Sequence, residues 1–140
     1  MSRVVPDASV LAKLYFPEAH SDRAEALLRR RRTVLHAPDL VFAEVASIAW
    51  KRHRRGEIEL DSARTVVAEL LTLPIFVHPI APLAIRSLEL ALETGRTVYD
   101  CLYLAVAIAE RATLLTADER FVNALNGGPF ARHVSWIGKH

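Results

Sequence analysis

The chain has 140 residues, of which 51% are hydrophobic and 24% charged, and its formal net charge is +2 at pH 7. That length and composition predict one globular domain over residues 1–140, long enough to bury its own core. The single cysteine excludes a disulfide framework. The longest apolar run, residues 102–109, is too short to cross a bilayer, and no basic-then-apolar leader opens the chain. We therefore expect a cytoplasmic protein without a membrane segment.

Predicted strands and helices alternate through the first half of the chain. The residue patterns predict strands over residues 3–7 and 33–37, and helices over residues 8–16, 23–32, 40–56 and 62–73. Asp22 together with Glu25 is typical of a capping box at the start of the second helix. Asp39 and Asp61 are predicted to cap the third and fourth helices.

The second half of the chain continues this alternation. Strands are predicted over residues 75–80, 113–118 and 133–137, and helices over residues 82–95, 97–110 and 119–126. Strands that alternate with helices are typical of an α/β fold with a mostly parallel sheet. We expect a single domain with a sheet of about five strands, flanked by helices on both faces.

Three acidic residues are expected at one edge of this sheet. Asp7 and Asp118 each end a predicted strand, and Asp100 lies at the start of a predicted helix. In a parallel sheet, the carboxyl ends of the strands and the amino ends of the following helices share the edge where ligands bind. Asp100 is also the one charge between Thr97 and Glu110. A carboxylate entering a buried helix requires compensation, because burial without a partner is costly.

Glu44 is a fourth candidate of the same kind. Helical spacing puts it on the inward-facing stripe of the third predicted helix, together with Leu40, Val41, Ser47 and Ile48. It lies about one and a half turns, roughly 7 Å, from the start of that helix. Its side chain can therefore reach back toward the ligand edge.

Each acid also has a structural explanation. Asp7 and Asp118 are placed to cap short helices, and Asp100 follows Thr97 at capping-box spacing. Glu44 could pair with a buried arginine. Together, however, four carboxylates that converge on one region would raise one another's pKa values. A divalent cation removes that conflict, and Mg²⁺ or Mn²⁺ suits a site of carboxylates alone.

An acidic metal site at the edge of an α/β sheet most often handles phosphate groups. The bound ion polarises a phosphoryl oxygen and supplies a hydroxide from bound water. The sequence contains no P-loop motif. Its six histidines are scattered and show no zinc-site spacing: they are His20, His36, His53, His78, His133 and His140. Hydrolysis of a phosphodiester without a covalent intermediate is the simplest chemistry that is left.

The segments that carry the acids resemble those of a known family. In order they are PDASVLAKLY, FAEVASIAW, VYDCLYLAVAIAE and LLTADERF. Over nearly the whole chain they resemble a PIN domain and, more narrowly, the VapC-type ribonuclease toxins of bacterial toxin–antitoxin modules. The resemblance implies a Mg²⁺- or Mn²⁺-dependent endoribonuclease that acts on RNA, is usually a homodimer, and is inhibited by a cognate antitoxin protein.

The resemblance also implies site residues by position. The acidic metal-site and catalytic residues would be Asp7, Glu44, Asp100 and Asp118. Ser9 and Thr116 match hydroxyl positions beside the acids. Ser47 departs from the family pattern, since many relatives carry an asparagine three residues after the glutamate.

The residues suggest a division of roles, which we state as a hypothesis. Asp7 and Asp100 would be the main ligands of a first ion. Asp118 would complete the site or bind a second ion, and Glu44 would hold or deprotonate metal-bound water. Thr116 would orient a carboxylate or a water.

Other interpretations are open at this point. A catalytically inactive PIN-like module could keep the acids to bind a basic partner or could bind RNA without cleaving it. A haloacid-dehalogenase-type phosphatase needs a second acid where Ser9 stands, and a signalling receiver needs paired acids at the first strand; neither pattern is present. The arginine run at residues 29–32 could bind RNA backbone, or it could be a solvated helix end.

Overall fold

A five-stranded sheet forms the centre of the computed structural model, which describes residues 1–139. Every hydrogen-bonded pair of neighbouring strands is parallel. The strands are β1 (Ser2–Pro6), β2 (Thr33–Pro38), β3 (Ile75–His78), β4 (Thr113–Thr116) and β5 (Val134–Trp136). Their order across the sheet is β3-β2-β1-β4-β5. The predicted parallel sheet is confirmed.

Seven α-helices lie within residues 1–139. They are α1 (Ala8–Ala12), α2 (Ser21–Leu28), α3 (Leu40–Arg54), α4 (Leu60–Leu70), α5 (Ala84–Thr94), α6 (Val98–Glu110) and α7 (Glu119–Leu125). Short 3₁₀ turns cover Ala81–Leu83, Ala131–His133 and Ile137–Lys139. No helix of this described part combines the length and apolarity that a membrane span requires.

The order of the strands reverses between β1 and β4. The chain proceeds outward from β1 to β2 and β3, then returns to place β4 on the other side of β1. Because crossovers between parallel strands are right-handed, the helices before and after the return lie on opposite faces of the sheet. The crevice beyond the carboxyl ends of β1 and β4 is the switch point at which α/β sheets bind ligands. The register pairs Pro6 with Leu115, so Asp7 leaves the sheet beside the end of β4.

The helix α6 joins this edge to the core. Its residues from Cys101 to Ala107 are all buried, and it packs against α5, β1 and β2. This burial explains the long apolar run, since each fully buried leucine or valine contributes about 1.5–3 kcal/mol. The acidic residues of α6 lie near its two ends, at Asp100 in the first turn and at Glu110, its last residue.

The predicted capping box at the second helix is wrong. α2 begins at Ser21, after His20 with a φ of 66°, and no side chain caps it. The hydroxyl of Ser21 instead accepts a hydrogen bond from the Glu18 amide (3.0 Å). The left-handed turn at His20 sets the start of the helix, so Asp22 lies inside the first turn.

Two other predicted caps also differ from the structure. α4 begins at Leu60, so Asp61 lies inside its first turn, where it is exposed and pairs with Arg64 (3.3 Å). Asp39 does occupy the N-cap position of α3, but its backbone is already helical (φ −63°, ψ −13°) and its side chain caps no amide. An acid near the start of a helix therefore does not by itself predict a side-chain cap, and neither Asp39 nor Asp61 makes one.

Candidate active site

The four predicted acids line one cavity at the switch point. The cavity has a volume of about 480 Å³, and residues of α1, α3 and α6 contribute to its walls. Its carboxylates are Asp7, Glu44, Asp100 and Asp118. The structure thus brings together acids that stand in four separate sequence motifs.

Asp7 directly follows β1 and caps α1. Its Oδ1 accepts hydrogen bonds from the Val10 amide (3.0 Å) and from the Ser9 hydroxyl (2.5 Å). Burial raises the pKa of this carboxyl to about 6, although hydrogen bonds from Ser9, Thr116 and Val10 oppose the rise. The negative charge of Asp100 adds to the rise. The carboxylate form of Asp7 is therefore poorly compensated by the protein alone.

Arg96 compensates two of the acids, a contact that the sequence pattern did not reveal. Its Nη2 lies 3.1 Å from Oδ2 of Asp100 and 2.8 Å from Oδ2 of Asp118. The guanidinium also stands over the ring of Phe121, 4.9 Å from its centroid. The loop before α6 thus brings a basic residue, Arg96, between the two carboxylates.

The start of α6 has a real cap that involves Asp100 only through its backbone. The Thr97 hydroxyl accepts a hydrogen bond from the Asp100 amide (3.1 Å), as expected for an N-cap. The Asp100 carboxylate is bonded to Arg96 instead. Burial raises the pKa of Asp100 and the nearby Asp118 charge adds to this, while Arg96 opposes it. The net direction shows that Arg96 only partly compensates the charge of this half-buried carboxylate.

Glu44 reaches the cavity from the second turn of α3. Its Oε1 accepts a hydrogen bond of 2.6 Å from the hydroxyl of Tyr103, a buried residue of α6. Burial raises the pKa of Glu44, the Tyr103 hydrogen bond opposes the rise, and the Asp100 charge adds to it. The two helices are therefore linked across the cavity by one short hydrogen bond.

The two predicted hydroxyls lie beside the acids. Ser9 donates to Asp7 and accepts a hydrogen bond from the Ala117 amide (3.3 Å). Thr116 is fully buried, and its hydroxyl accepts from the Asp118 amide (3.1 Å). Both hydroxyls thus connect the loop after β4 to the start of α1 through hydrogen bonds.

The donor set of the cavity fits a hard divalent cation. Carboxylate and hydroxyl oxygens are the ligands that Mg²⁺ and Mn²⁺ prefer. Within residues 1–139, neither Asp7 nor Glu44 has an ion-pair partner, and both carboxyls have raised pKa values. In the same range, no three of the four acids bring oxygen atoms within 4.8 Å of one another. This spacing is expected, because like charges repel and Arg96 holds two of the acids.

Two further residues at the cavity were missed from the sequence. Lys51 and Tyr99 line its rim, and the Tyr99 side chain is 61% exposed. Lys51 lies seven residues after Glu44, a spacing that puts both on one face of α3 and that could have predicted Lys51. Tyr99 immediately precedes Asp100, and no helical spacing indicates it.

The interpretation of the histidines as scattered is wrong for one pair. His36 and His78 hydrogen-bond to each other, with Nδ1 and Nε2 3.0 Å apart, although 42 residues separate them in the chain. They come from neighbouring strands of the sheet, so sequence spacing could not reveal them. His140 lies outside the described residues.

Comparisons with known proteins agree with the fold. A family model for the PIN domain matches residues 4–124. The chain is 38% identical to Ribonuclease VapC3 of Pyrobaculum aerophilum over 120 residues, which cover 84% of this chain and 91% of that protein.

Solved structures show the same architecture. The crystal structure of PAE2754 from Pyrobaculum aerophilum has a TM-score of 0.71 at 25% identity and covers 99% of this chain and 85% of that chain. A toxin–antitoxin complex from Klebsiella pneumoniae has a TM-score of 0.62 at 22% identity and covers 94% and 95% of the two chains. The extent of the family match and the identity to a ribonuclease show that the chain belongs to the PIN domain family, within its VapC-type group.

Proposed function

We propose that the chain is a Mg²⁺- or Mn²⁺-dependent endoribonuclease toxin of the cytoplasm that hydrolyses RNA phosphodiester bonds with a metal-activated water. The observation that carries this proposal is the convergence of Asp7, Glu44, Asp100 and Asp118 on one cavity at the switch point of the sheet. RNA as the substrate is supported by the relative at 38% identity, which is named a ribonuclease.

The acids divide into ligands and a proton acceptor. Asp7 and Asp100 would hold the ion, and Asp118 would complete the site or help to hold a second ion. A bound divalent ion polarises a phosphoryl oxygen and lowers the pKa of a coordinated water. Glu44 takes the proton of the attacking water, a role that suits a carboxyl whose pKa is raised by burial. The Tyr103 hydrogen bond keeps Glu44 directed into the cavity.

Two residues at the rim fit an RNA strand. The exposed ammonium group of Lys51 can neutralise a backbone phosphate beside the acids. Tyr99 presents an exposed aromatic ring on which an unpaired base can stack. These contacts would position a single-stranded or looped segment over the carboxylates.

An antitoxin that carries arginine would inhibit this site. Arg96 supports the idea, because its guanidinium already fits between Asp100 and Asp118. The solved structure from K. pneumoniae that shares this fold is a toxin–antitoxin complex. We propose that a cognate antitoxin inserts a basic side chain into the same acidic cavity and competes with the ion.

A homodimer is the assembly that the surface favours. Large apolar side chains are exposed on α5 and on the edge strand β3: Phe76, Val77, Ile85, Leu88 and Leu92. An edge strand and a helix that expose apolar side chains are liabilities unless they are covered. We propose that two copies of the chain cover these side chains by packing against each other.

The test of the nuclease is cleavage of a structured RNA by purified, antitoxin-free protein. Exhaustive chelation with EDTA should abolish cleavage, and Mg²⁺ or Mn²⁺ should restore it. Asp7→Asn should be inactive, whereas the matched control Asp61→Asn, an exposed acid outside the cavity, should cleave normally. Cleavage that survives chelation would overturn the metal mechanism. RNA binding without any cleavage would favour the catalytically inactive module instead.

A further inference from the structure

Two histidines and a glutamate form a second cluster of metal-binding groups. His36 on β2 and His78 at the end of β3 bring Nδ1 and Nε2 to 3.0 Å from each other. Nδ1 of His78 lies 4.0 Å from Oε1 of Glu110, the last residue of α6. One ligand atom from each of the three residues lies within 4.8 Å of the other two. Three elements distant in sequence thus bring nitrogen and oxygen donors within 4.8 Å of one another.

This cluster is separate from the carboxylate cavity. None of its three residues lines that cavity. Along α6, Glu110 lies ten residues beyond Asp100, which is roughly 15 Å along the helix axis. The cluster therefore needs an explanation of its own.

The surrounding packing fixes the donors and leaves an entry path. Phe76, the register partner of His36, stacks on its imidazole with ring centroids 5.3 Å apart. Arg3 donates to the main-chain carbonyl of Glu110 (3.3 Å). Within residues 1–139, the Glu110 carboxylate has no ion-pair partner apart from His78. His36 is buried, but His78 and Glu110 are partly exposed, so an ion can reach them from solvent.

We propose that His36, His78 and Glu110 bind one zinc-like divalent ion. Two imidazoles and one carboxylate form a common three-ligand zinc set, with the fourth position open to water. Imidazole donors favour Zn²⁺ and its neighbours, whereas Mg²⁺ prefers oxygen ligands alone. On a tetrahedral ion with Zn–N distances of about 2.0–2.1 Å, the two nitrogens lie roughly 3.3 Å apart. The rings therefore need to separate by only a few tenths of an ångström.

A bound ion would fasten the edge of the sheet. β3 is an edge strand of four residues, and its residues Phe76 and Val77 are exposed. The ion would join β3 to β2 and to the end of α6. Because the unfolded chain lacks this arrangement of ligands, binding should stabilise the fold.

The site is tested by metal titration of the full chain in excess Mg²⁺, which keeps hard-ion sites occupied. The probes are Zn²⁺, followed by calorimetry and thermal unfolding, and Co²⁺, followed by its visible absorption. We expect one ion per chain and a melting temperature raised by about 5–10 °C at a hundredfold excess over the dissociation constant. His78→Gln and Glu110→Gln should each weaken binding at least about tenfold.

Two control variants separate this site from others. His53→Gln removes an exposed histidine outside the cluster and should bind Zn²⁺ like the wild type. Asp100→Asn alters the carboxylate cavity and should also leave Zn²⁺ binding unchanged. His78→Gln should still cleave RNA in Mg²⁺, so this test does not depend on the nuclease proposal. Equal Zn²⁺ binding by the wild type and His78→Gln, or no stoichiometric binding by the wild type, would overturn the proposal.

Discussion

At the scale of single residues, Arg96 partly compensates two carboxylates of the acidic cavity. Its guanidinium contacts Asp100 and Asp118, and its side chain is only 21% exposed. It supplies positive charge where a divalent ion is also expected. When metal binds, Asp100 and Asp118 would therefore exchange the guanidinium of Arg96 for the metal ion. They would not pass from an unpaired to a paired state.

Replacing Arg96 with Gln should reveal this exchange. The metal-free variant should lose about 1–2 kcal/mol of unfolding free energy, because two carboxylates lose their cation in a partly buried place. Mg²⁺ should restore most of that loss and bind more tightly than to the wild type. Urea unfolding with and without Mg²⁺ measures both effects. The matched control Arg64→Gln removes an exposed partner of Asp61 and should change stability by less than about 0.5 kcal/mol.

The pKa of Asp7 predicts how the stability of the metal-free protein depends on pH. Its folded pKa of about 6 lies above the ordinary value of 3.8, so the folded state holds its proton more tightly than the unfolded chain. The stabilisation from this proton is complete below about pH 4 and is lost as the pH rises through 6. Between pH 4 and 7, wild type should lose roughly 2–3 kcal/mol more than Asp7→Asn.

Urea unfolding in EDTA at a series of pH values checks this prediction. Asp100 and Glu44 also have raised pKa values, but both proteins carry these two residues, so the difference between the two curves reports mainly on Asp7. Parallel curves for the two proteins across this range would contradict the assignment.

At the scale of elements, α6 organises the site. It delivers Asp100 at its first turn and Tyr103 one turn later, and Tyr103 joins α3 through Glu44. Tyr103→Phe keeps the buried ring but removes the hydrogen bond. We expect kcat for RNA cleavage to fall about tenfold with little change in KM, because Glu44 loses its orientation.

Steady-state kinetics on a short RNA measures kcat and KM for the wild type and the variant. The acidic limb of the pH profile should also shift, because Glu44 loses a hydrogen bond that lowers its pKa. Removing that bond should raise the pKa of Glu44 and move the limb to higher pH. An unchanged kcat and pH profile would limit Tyr103 to a packing role.

The sequence predicted the elements better than their ends. Alternating strands and helices, and the edge rule for parallel sheets, were enough to assign Asp7, Asp100 and Asp118 to one cavity. The sequence also predicted that α5 ends at Gly95. In the structure, Gly95 has a φ of 74°, a conformation that favours glycine at the end of a helix. Caps were predicted less well, because a capping bond depends on the local turn and not on the presence of an acid alone.

The partners of the acids could not be predicted, since they depend on tertiary packing. Arg96 precedes Asp100 by four residues, but it also contacts Asp118, which only the return of β4 beside β1 brings close. His36 and His78 meet because β2 and β3 are adjacent. No periodicity in the sequence encodes either contact.

At the scale of the whole molecule, the exposed apolar side chains of α5 and β3 predict that two copies of the chain associate. Leu92 on α5 is 79% exposed, and a charge there should prevent two copies from packing together. Leu92→Glu should be monomeric by light scattering at concentrations where the wild type is dimeric. The control Leu60→Glu, on the start of α4, should leave the dimer intact. A monomeric wild type would contradict the proposed assembly.

The central claim is that the partly buried charge of Asp100 binds metal, and Asp100→Asn tests it most directly. Thermal unfolding with and without Mg²⁺, beside an RNA cleavage assay, is measured on the wild type and the variant. Because the folded state raises the pKa of Asp100, the neutral amide should leave metal-free stability level or raise it. The stabilisation added by Mg²⁺ should shrink, and cleavage should be lost. A variant that still cleaves RNA and is stabilised by Mg²⁺ as much as the wild type would contradict the account.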